Sequence, residues 1–222
     1  MTLEKMTRDI DLLKGAISFY SPSGKEKQVS EYLVGEMIKL GFRSYRDEAG
    51  NAIGELGEGK KTILMVGHID TFPGNIPVKI ENNKLYGRGS VDAKGPFCAF
   101  VMAAINAKLK SKIVVVGAVE EECATSKGAR HIIRKYKPDY IIIGEPSSYD
   151  AITIGYKGRM LLDYFLEGEM SHTASKNLGV IENAIIFYTS LRDKAMEYNK
   201  TKENIFEKIQ ITVRDINSDG DS

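Results

Sequence analysis

The sequence predicts an α/β fold, a mainly parallel sheet flanked by helices, followed by a smaller α+β domain that is expected to be incomplete. Three observations carry this. The apolar runs at 62–67, 113–119 and 140–143 are short and nearly continuous, as strands covered on both faces are. Segments with helical spacing of apolar residues separate them, and strands alternating with helices imply a parallel sheet. Each run also ends in polar chemistry: His68, then Glu120 to Glu122, then Glu145 between Gly144 and Pro146. Open α/β sheets place their ligands at such strand ends.

Residues 4–20 are predicted to form a helix with Ile10, Leu13, Ile17 and Tyr20 inward. Ser21-Pro22-Ser23-Gly24 breaks it. Ser23 is placed to cap a second helix that carries Val29, Leu33, Met37 and Leu40 on one face. Gly41 stands where a helix-ending glycine belongs. Short strands at 42–45 and 52–56 flank an Ala49-Gly50-Asn51 turn, and Gly57-Glu58-Gly59-Lys60 turns the chain into strand 62–67. After a glycine-punctuated loop, Pro96 opens a helix at a position where its missing N–H costs nothing. Strand 113–119, helix 127–136 and strand 140–143 complete a first domain, 1–150.

Beyond residue 150 the texture changes. A long strand is expected over 152–167, interrupted at Gly158, then a helix over 179–198 with Ile181, Ile185, Tyr188 and Leu191 inward, then a strand at 209–213. This β-α-β run has no evident core of its own, so the domain 151–222 is expected to be unfinished.

Of the 222 residues, 42% are hydrophobic and 27% charged, and the formal net charge is +1. That balance argues against a nucleic-acid footprint or an acidic interaction tail. Cys98 and Cys123 fit neither a CxxC nor a secreted-scaffold pattern, which makes a reducing cytoplasm the expected location. No basic-then-apolar leader is present, and no apolar run approaches the roughly 20 residues of a membrane span. The expectation is a cytoplasmic protein without a membrane partner.

His68 and Asp70 stand two apart at a strand end, so their side chains leave the same face. Asp70 is then able to hold the second imidazole nitrogen of His68 and leave the other free for a metal. A lone His-x-Asp fits a strand-end hydrogen bond equally well. Asp92 follows a loop with glycines at 87 and 89, where its two oxygens are able to bridge two cations; taken alone it also reads as a helix N-terminal aspartate. Glu120-Glu121-Glu122 crowds three carboxylates at a strand end, unfavourable unless a cation or a proton is shared, and otherwise an exposed acidic turn. Glu145 repeats the strand-then-acid layout. Together they point to a metal site, and oxygen ligands with a histidine suit zinc, cobalt or manganese. His172, in Met170-Ser171-His172-Thr173, reads as a strand-end histidine, and His131 as a surface residue.

Four motifs, Gly67-His68-Ile69-Asp70, the run from Gly87 to Gly95, Glu120-Glu121-Glu122 and Gly144-Glu145-Pro146, occur in the order and at the intervals of a known family. The chain resembles the dinuclear zinc amidohydrolases and exopeptidases that include aminoacylase, acetylornithine deacetylase, the desuccinylases and the glutamate carboxypeptidases. Within that family it looks like the archaeal LysK type, which releases lysine, and often ornithine, from the amino-group carrier protein LysW. The resemblance implies a zinc-exopeptidase-like fold, a lid or dimerisation domain beginning at 151, a homodimer and two Zn2+ ions, with Co2+ as a substitute. It implies that His68, Asp92 and Glu145 hold one zinc and that Asp92 and Glu122 hold the other. Glu121 would be the general base, Asp70 would orient His68, and His172 would reach the substrate oxyanion across the dimer. N-acetyl-amino-acid deacetylation or carboxypeptidase action on the same site is the alternative activity, and a catalytically silent binding module the non-enzyme one. Pro96 stands where relatives often have a glycine. The family's last zinc ligand is a histidine near the end of a longer chain, and none follows His172 here. The chain is therefore expected to be an N-terminal portion that is inactive by itself.

Overall fold

In the computed structural model, residues 3–108, 110–147, 150–168 and 178–218 are described. They divide into two compact units, Met1–Asp150 and Ala151–Ser222. The first unit opens with helices α1 (Leu3–Ile17) and α2 (Lys27–Lys39), then strands β1 (Arg43–Arg46), β2 (Ala52–Leu56) and β3 (Thr62–His68). A small hairpin of β4 (Lys79–Glu81) and β5 (Lys84–Tyr86) precedes α3 (Lys94–Asn106), β6 (Lys112–Ala118), α4 (Lys127–Lys135) and β7 (Tyr140–Ile143).

Five strands make one sheet in the order β1-β2-β6-β3-β7. β3 runs parallel to both β6 and β7, whereas β1, β2 and β6 are joined antiparallel, so the sheet is mixed. Its parallel half is the half that matters for the site: β3 and β7 end beside one another, and His68 pairs in register with Ala118 of β6.

Helices cover both faces. Met65 and Val115 point toward α1, α2 and α3, where Leu12, Leu33, Met37, Phe97 and Val101 fill the layer. The alternate residues Leu64, Val114 and Val116 point to the other face, against Ile132 of α4. Consecutive valines 114, 115 and 116 are each fully buried because successive side chains of a strand leave opposite faces. Each contributes on the order of 2 kcal/mol of hydrophobic stabilisation. A Cβ on Gly117 would stand 2.8 Å from Ile69 and 3.2 Å from the Phe97 ring, so glycine there lets α3 approach the sheet.

Several expectations need correction. α1 ends at Ile17, and its inward residues are Leu12 and Ala16 beside Ile17, while Ile10 and Tyr20 are exposed. The chain leaves the helix before Pro22, whose ring restricts the residue ahead of it. Glu26, not Ser23, stands at the N-cap of α2. The third apolar run, β7, is an edge strand whose Ile141 and Ile143 are 58% and 55% exposed, not buried on both faces. Isoleucines favour a strand wherever it lies, and coverage depends on neighbours that the run itself does not encode. The hairpin β4–β5 was not foreseen. Its signal is the pair Asn82-Asn83, both at positive φ, the two-residue turn that matches strand twist.

A polar cluster ties the antiparallel half together. Glu55 accepts Arg43 Nη2 and Lys112 Nζ, both at 2.8 Å, and the Tyr45 and Tyr136 hydroxyls, both at 3.2 Å. Burial raises the Glu55 pKa, but Lys112, Arg43 and Tyr45 outweigh it and hold the carboxyl below its ordinary value. A depressed carboxyl contributes stability that is present above its unfolded value of about 4.3 and is lost as pH falls through the folded value. Glu55→Gln should therefore cost about 1–3 kcal/mol at pH 7 and much less near pH 3. Urea titrations at the two pH values check this, and an equal loss at both would assign the effect to packing.

The second unit contains helix α5 (Val180–Asn199) and a short 3-10 turn, Ile205–Glu207. Asn199 closes onto the following chain, donating to the Ile209 carbonyl and accepting its N–H, each at 2.8 Å. Residues 152–167 and 209–213, expected as strands, form no ladder. A strand needs a paired neighbour for its backbone groups, and among the described residues of this unit none pairs with them. Of the face expected inward on α5, Ile181 and Ile185 are 55% and 56% exposed, and the buried residue is Ala195.

Candidate metal centre

The parallel strands converge on one point. His68 ends β3 and is 2% exposed. Its Nε2 lies 2.9 Å from Asp92 Oδ1 and 3.9 Å from carboxylate oxygens of both Glu121 and Glu145. Its Nδ1 lies 2.9 Å from the Asp70 backbone carbonyl and 3.5 Å from Asp70 Oδ1. Asp70 thus meets the imidazole first through its main chain. Its carboxylate, fully buried, accepts the Glu121 N–H at 3.0 Å, the Glu122 N–H at 2.9 Å and the Ser23 hydroxyl at 2.7 Å. Ser23, expected as a helix cap, is instead a ligand of this aspartate.

Asp92 is delivered by the loop after β5. Gly89 adopts a φ of +85°, which glycine reaches without steric cost, and its carbonyl accepts the N–H groups of Lys94 and Gly95. The Asp92–Ala93 peptide is cis. Glu145 follows β7, where the Gly144 N–H donates to the Val66 carbonyl at 2.7 Å and carries the ladder one step past the strand. Of the acidic triplet, Glu120 turns away: it accepts the Thr125 hydroxyl at 2.6 Å and stands 3.5 Å from Lys127. Glu121 is the member whose carboxylate stands 3.9 Å from the histidine, and Glu122 feels the charges of Asp92 and His68.

One donor atom each from His68, Asp92 and Glu145 lie within 4.8 Å of one another. The charges around them are unbalanced. Burial raises the pKa of both Glu122 and Glu145; repulsion from Asp92 and Glu121 adds to this, and the His68 ring opposes it. Burial works against charge on His68, yet the Asp70 hydrogen bond and the Glu145 carboxylate push its pKa up to about 9. Asp70 is also penalised by burial, but His68, Ser23 and the two amides hold its carboxyl low. Carboxylates crowded and partly buried beside an imidazole form a set of donors whose repulsion a divalent cation would relieve. A histidine with hard oxygens suits zinc, cobalt or manganese.

His172 lies outside the described residues. His131 sits on α4 with Nε2 3.2 Å from Glu48. Two buried charges near the centre were not singled out from the sequence. Lys94, fully buried, donates to the carbonyls of Ala16 and Phe19 at 3.2 and 2.9 Å, and burial pushes its pKa down to about 8. Glu26, 4% exposed, accepts the Glu120 N–H at 3.0 Å. Lysine and glutamate are exposed by default, so nothing in their local sequence marks them as buried. Cys98 lies buried on α3, where burial pushes its thiol up to about 12 against an opposing Lys94, while Cys123 is half-buried. The native chain should take up one equivalent of a thiol reagent such as DTNB, at Cys123, and two after denaturation. A second native equivalent would show that Cys98 is reachable.

Known proteins resemble this chain over much of its length. Among curated sequences, the chain is 38% identical over 219 residues to the "[LysW]-lysine hydrolase" of Deinococcus radiodurans, covering 95% of this chain and 60% of that protein. It is 35% identical over 195 residues to the "[LysW]-lysine/[LysW]-ornithine hydrolase" of Sulfurisphaera tokodaii, covering 87% and 53%. The chain thus spans a little over half the length of these relatives. Among solved structures, the M20 family metallo-carboxypeptidase Sso-CP2 of Sulfolobus solfataricus shares the fold at a TM-score of 0.52 and 24% identity, covering 64% of this chain and 37% of that one. A tripeptidase from Staphylococcus aureus does so at 0.54 and 20% identity, covering 64% and 44%. The family model for peptidase family M20/M25/M40 matches residues 64–219, from the strand that ends in His68 through the acidic loops and beyond, and the chain belongs to that family.

Proposed function

We propose that this chain is the metal-binding part of a hydrolase that cleaves an amide bond to release lysine, and ornithine, from the amino-group carrier protein LysW. The observation that carries the reading is the meeting of His68, Asp92, Glu121 and Glu145 at the ends of β3 and β7, in a family of peptidases. The names of the two curated relatives supply the substrate.

In this reading His68, Asp92 and Glu145 would hold one zinc, and Asp92 and Glu122 would hold the second, with cobalt able to substitute. Zinc bound there would act as a Lewis acid on the amide carbonyl and bring the pKa of water toward neutrality. Glu121 takes the proton from the attacking water and returns it to the leaving amine, so that one carboxylate serves as base and then acid. Asp70 keeps Nδ1 of His68 facing a hydrogen-bond acceptor, which leaves Nε2 for the metal. Residues 1–150 form the catalytic domain, and residues 151–222 begin a lid through which the protein pairs as a homodimer. The exposed Ile181 and Ile185 on α5 support a partner surface there, and sedimentation tests it. Two free cysteines accord with a cytoplasmic site of action in lysine and arginine biosynthesis.

The deciding assay offers the complete gene product, loaded with zinc or cobalt, LysW-lysine beside LysW-ornithine, acetyl-lysine and acetylornithine. Release of lysine from LysW-lysine well above the acetylated compounds is expected. Turnover of the acetylated compounds alone would overturn the carrier assignment, and no turnover of any would overturn the hydrolase reading.

A further inference from the structure

We infer that Glu26 is a positioning residue for the loop 120–122 and, through it, for Glu121. The inference rests on the proposed hydrolase only for its effect on turnover. Glu26 stands at the N-cap of α2 but makes no side-chain cap bond to that helix. Its Oε1 instead accepts the Gly24 N–H at 2.9 Å and the Glu120 N–H at 3.0 Å, a residue 94 positions away. The side chain is 4% exposed, and a carboxylate is buried at that depth only where hydrogen bonds replace its water.

Glu120 is held at a φ of +56°, the left-handed region that a residue with a Cβ avoids. The next two amides, Glu121 and Glu122, donate to the two oxygens of Asp70. Three successive amides are therefore bound by two buried carboxylates. The two are linked. Ser23 donates to Asp70, Ser21 donates to the Ile69 carbonyl at 2.9 Å, and the Thr71 N–H donates to the Ser21 carbonyl at 2.9 Å. Segment 21–26 is thus strapped to the end of β3 and carries Glu26 against the start of the acidic loop.

Asp70 grips residues 121 and 122; Glu26 alone among these carboxylates grips residue 120, where the strained backbone sets the loop's direction. Without that acceptor the left-handed residue relaxes, and the Glu121 carboxylate moves from its place 3.9 Å from His68.

The test compares the complete gene product, loaded with zinc, as wild type, Glu26→Ala, Glu26→Asp and Glu26→Gln. In Glu26→Ala, kcat should fall roughly 10- to 100-fold, the scale set by a misplaced catalytic group, with KM and zinc content unchanged. Hydrogen exchange should quicken at amides 120–122 and not across the sheet. Glu26→Asp keeps the charge but withdraws the oxygen by one methylene, and should follow Glu26→Ala. Glu26→Gln still presents an acceptor and should recover most of both effects. Wild-type kcat in Glu26→Ala or Glu26→Asp, a Glu26→Gln as impaired as Glu26→Ala, or exchange that quickens throughout the chain would each overturn the inference. A wild type without turnover would sink the hydrolase reading, and local exchange at 120–122 would still decide the role of Glu26.

Discussion

Glu121→Gln should lower kcat by about 10²–10⁴-fold in the complete gene product, the range a positioned acid/base group contributes. The carboxylate is 46% exposed at its side chain, faces the same point as His68 Nε2, and its own N–H is fixed by Asp70. It is thus anchored through its backbone and free at its tip, as the proposed proton transfer requires. Asp92, Glu145 and His68, which lie within mutual reach, remain in Glu121→Gln, so zinc content by elemental analysis should stay at the wild-type value. Loss of zinc together with activity would move Glu121 from base to ligand. Retained turnover would remove it from the chemistry altogether.

Asp70→Ala should be the most destabilising change at the centre. It removes the acceptor for two backbone amides and one hydroxyl in a fully buried position, and takes from His68 the carboxylate hydrogen bond that does most to raise its pKa. Breaking a buried, hydrogen-bonded charge costs about 3–5 kcal/mol. For a domain of this size each kcal/mol lowers Tm by roughly 2–4 °C, so a fall of roughly 6–20 °C is expected in metal-free protein. Zinc affinity should drop about 10–100-fold as well, because the histidine loses part of what orients it. Calorimetry with and without zinc reads both effects. A Tm within a degree of wild type would mean that water replaces the carboxylate at no cost.

The elements and their types were legible where the local pattern is strong. The valine run before Gly117, the Val29-Leu33-Met37 stripe and the glycine after α2 each encode their structure within a few residues, because strand and helix impose their own periods. The strand ends at His68, Glu120 and Glu145 were readable for the same reason. What failed depends on neighbours distant in sequence. β7 has the sequence of a central strand and is an edge. Residues 152–167 have the sequence of a strand and find no partner among the described residues. Ser23 has the sequence of a helix cap and binds Asp70 instead.

By itself, then, the sequence determined an α/β chain of one dominant unit with acidic and histidine residues at its strand ends, since apolar periodicity and charge are properties of adjacent residues. Only the tertiary structure set the distances that bring His68, Asp92, Glu121 and Glu145 to one point, a meeting that the family resemblance implied and that no local pattern encodes. It alone buried Glu26, Asp70 and Lys94 around that point. Hydrogen bonds between residues 47 to 94 positions apart hold those charges, and no local spacing records a partner that folding brings from far away.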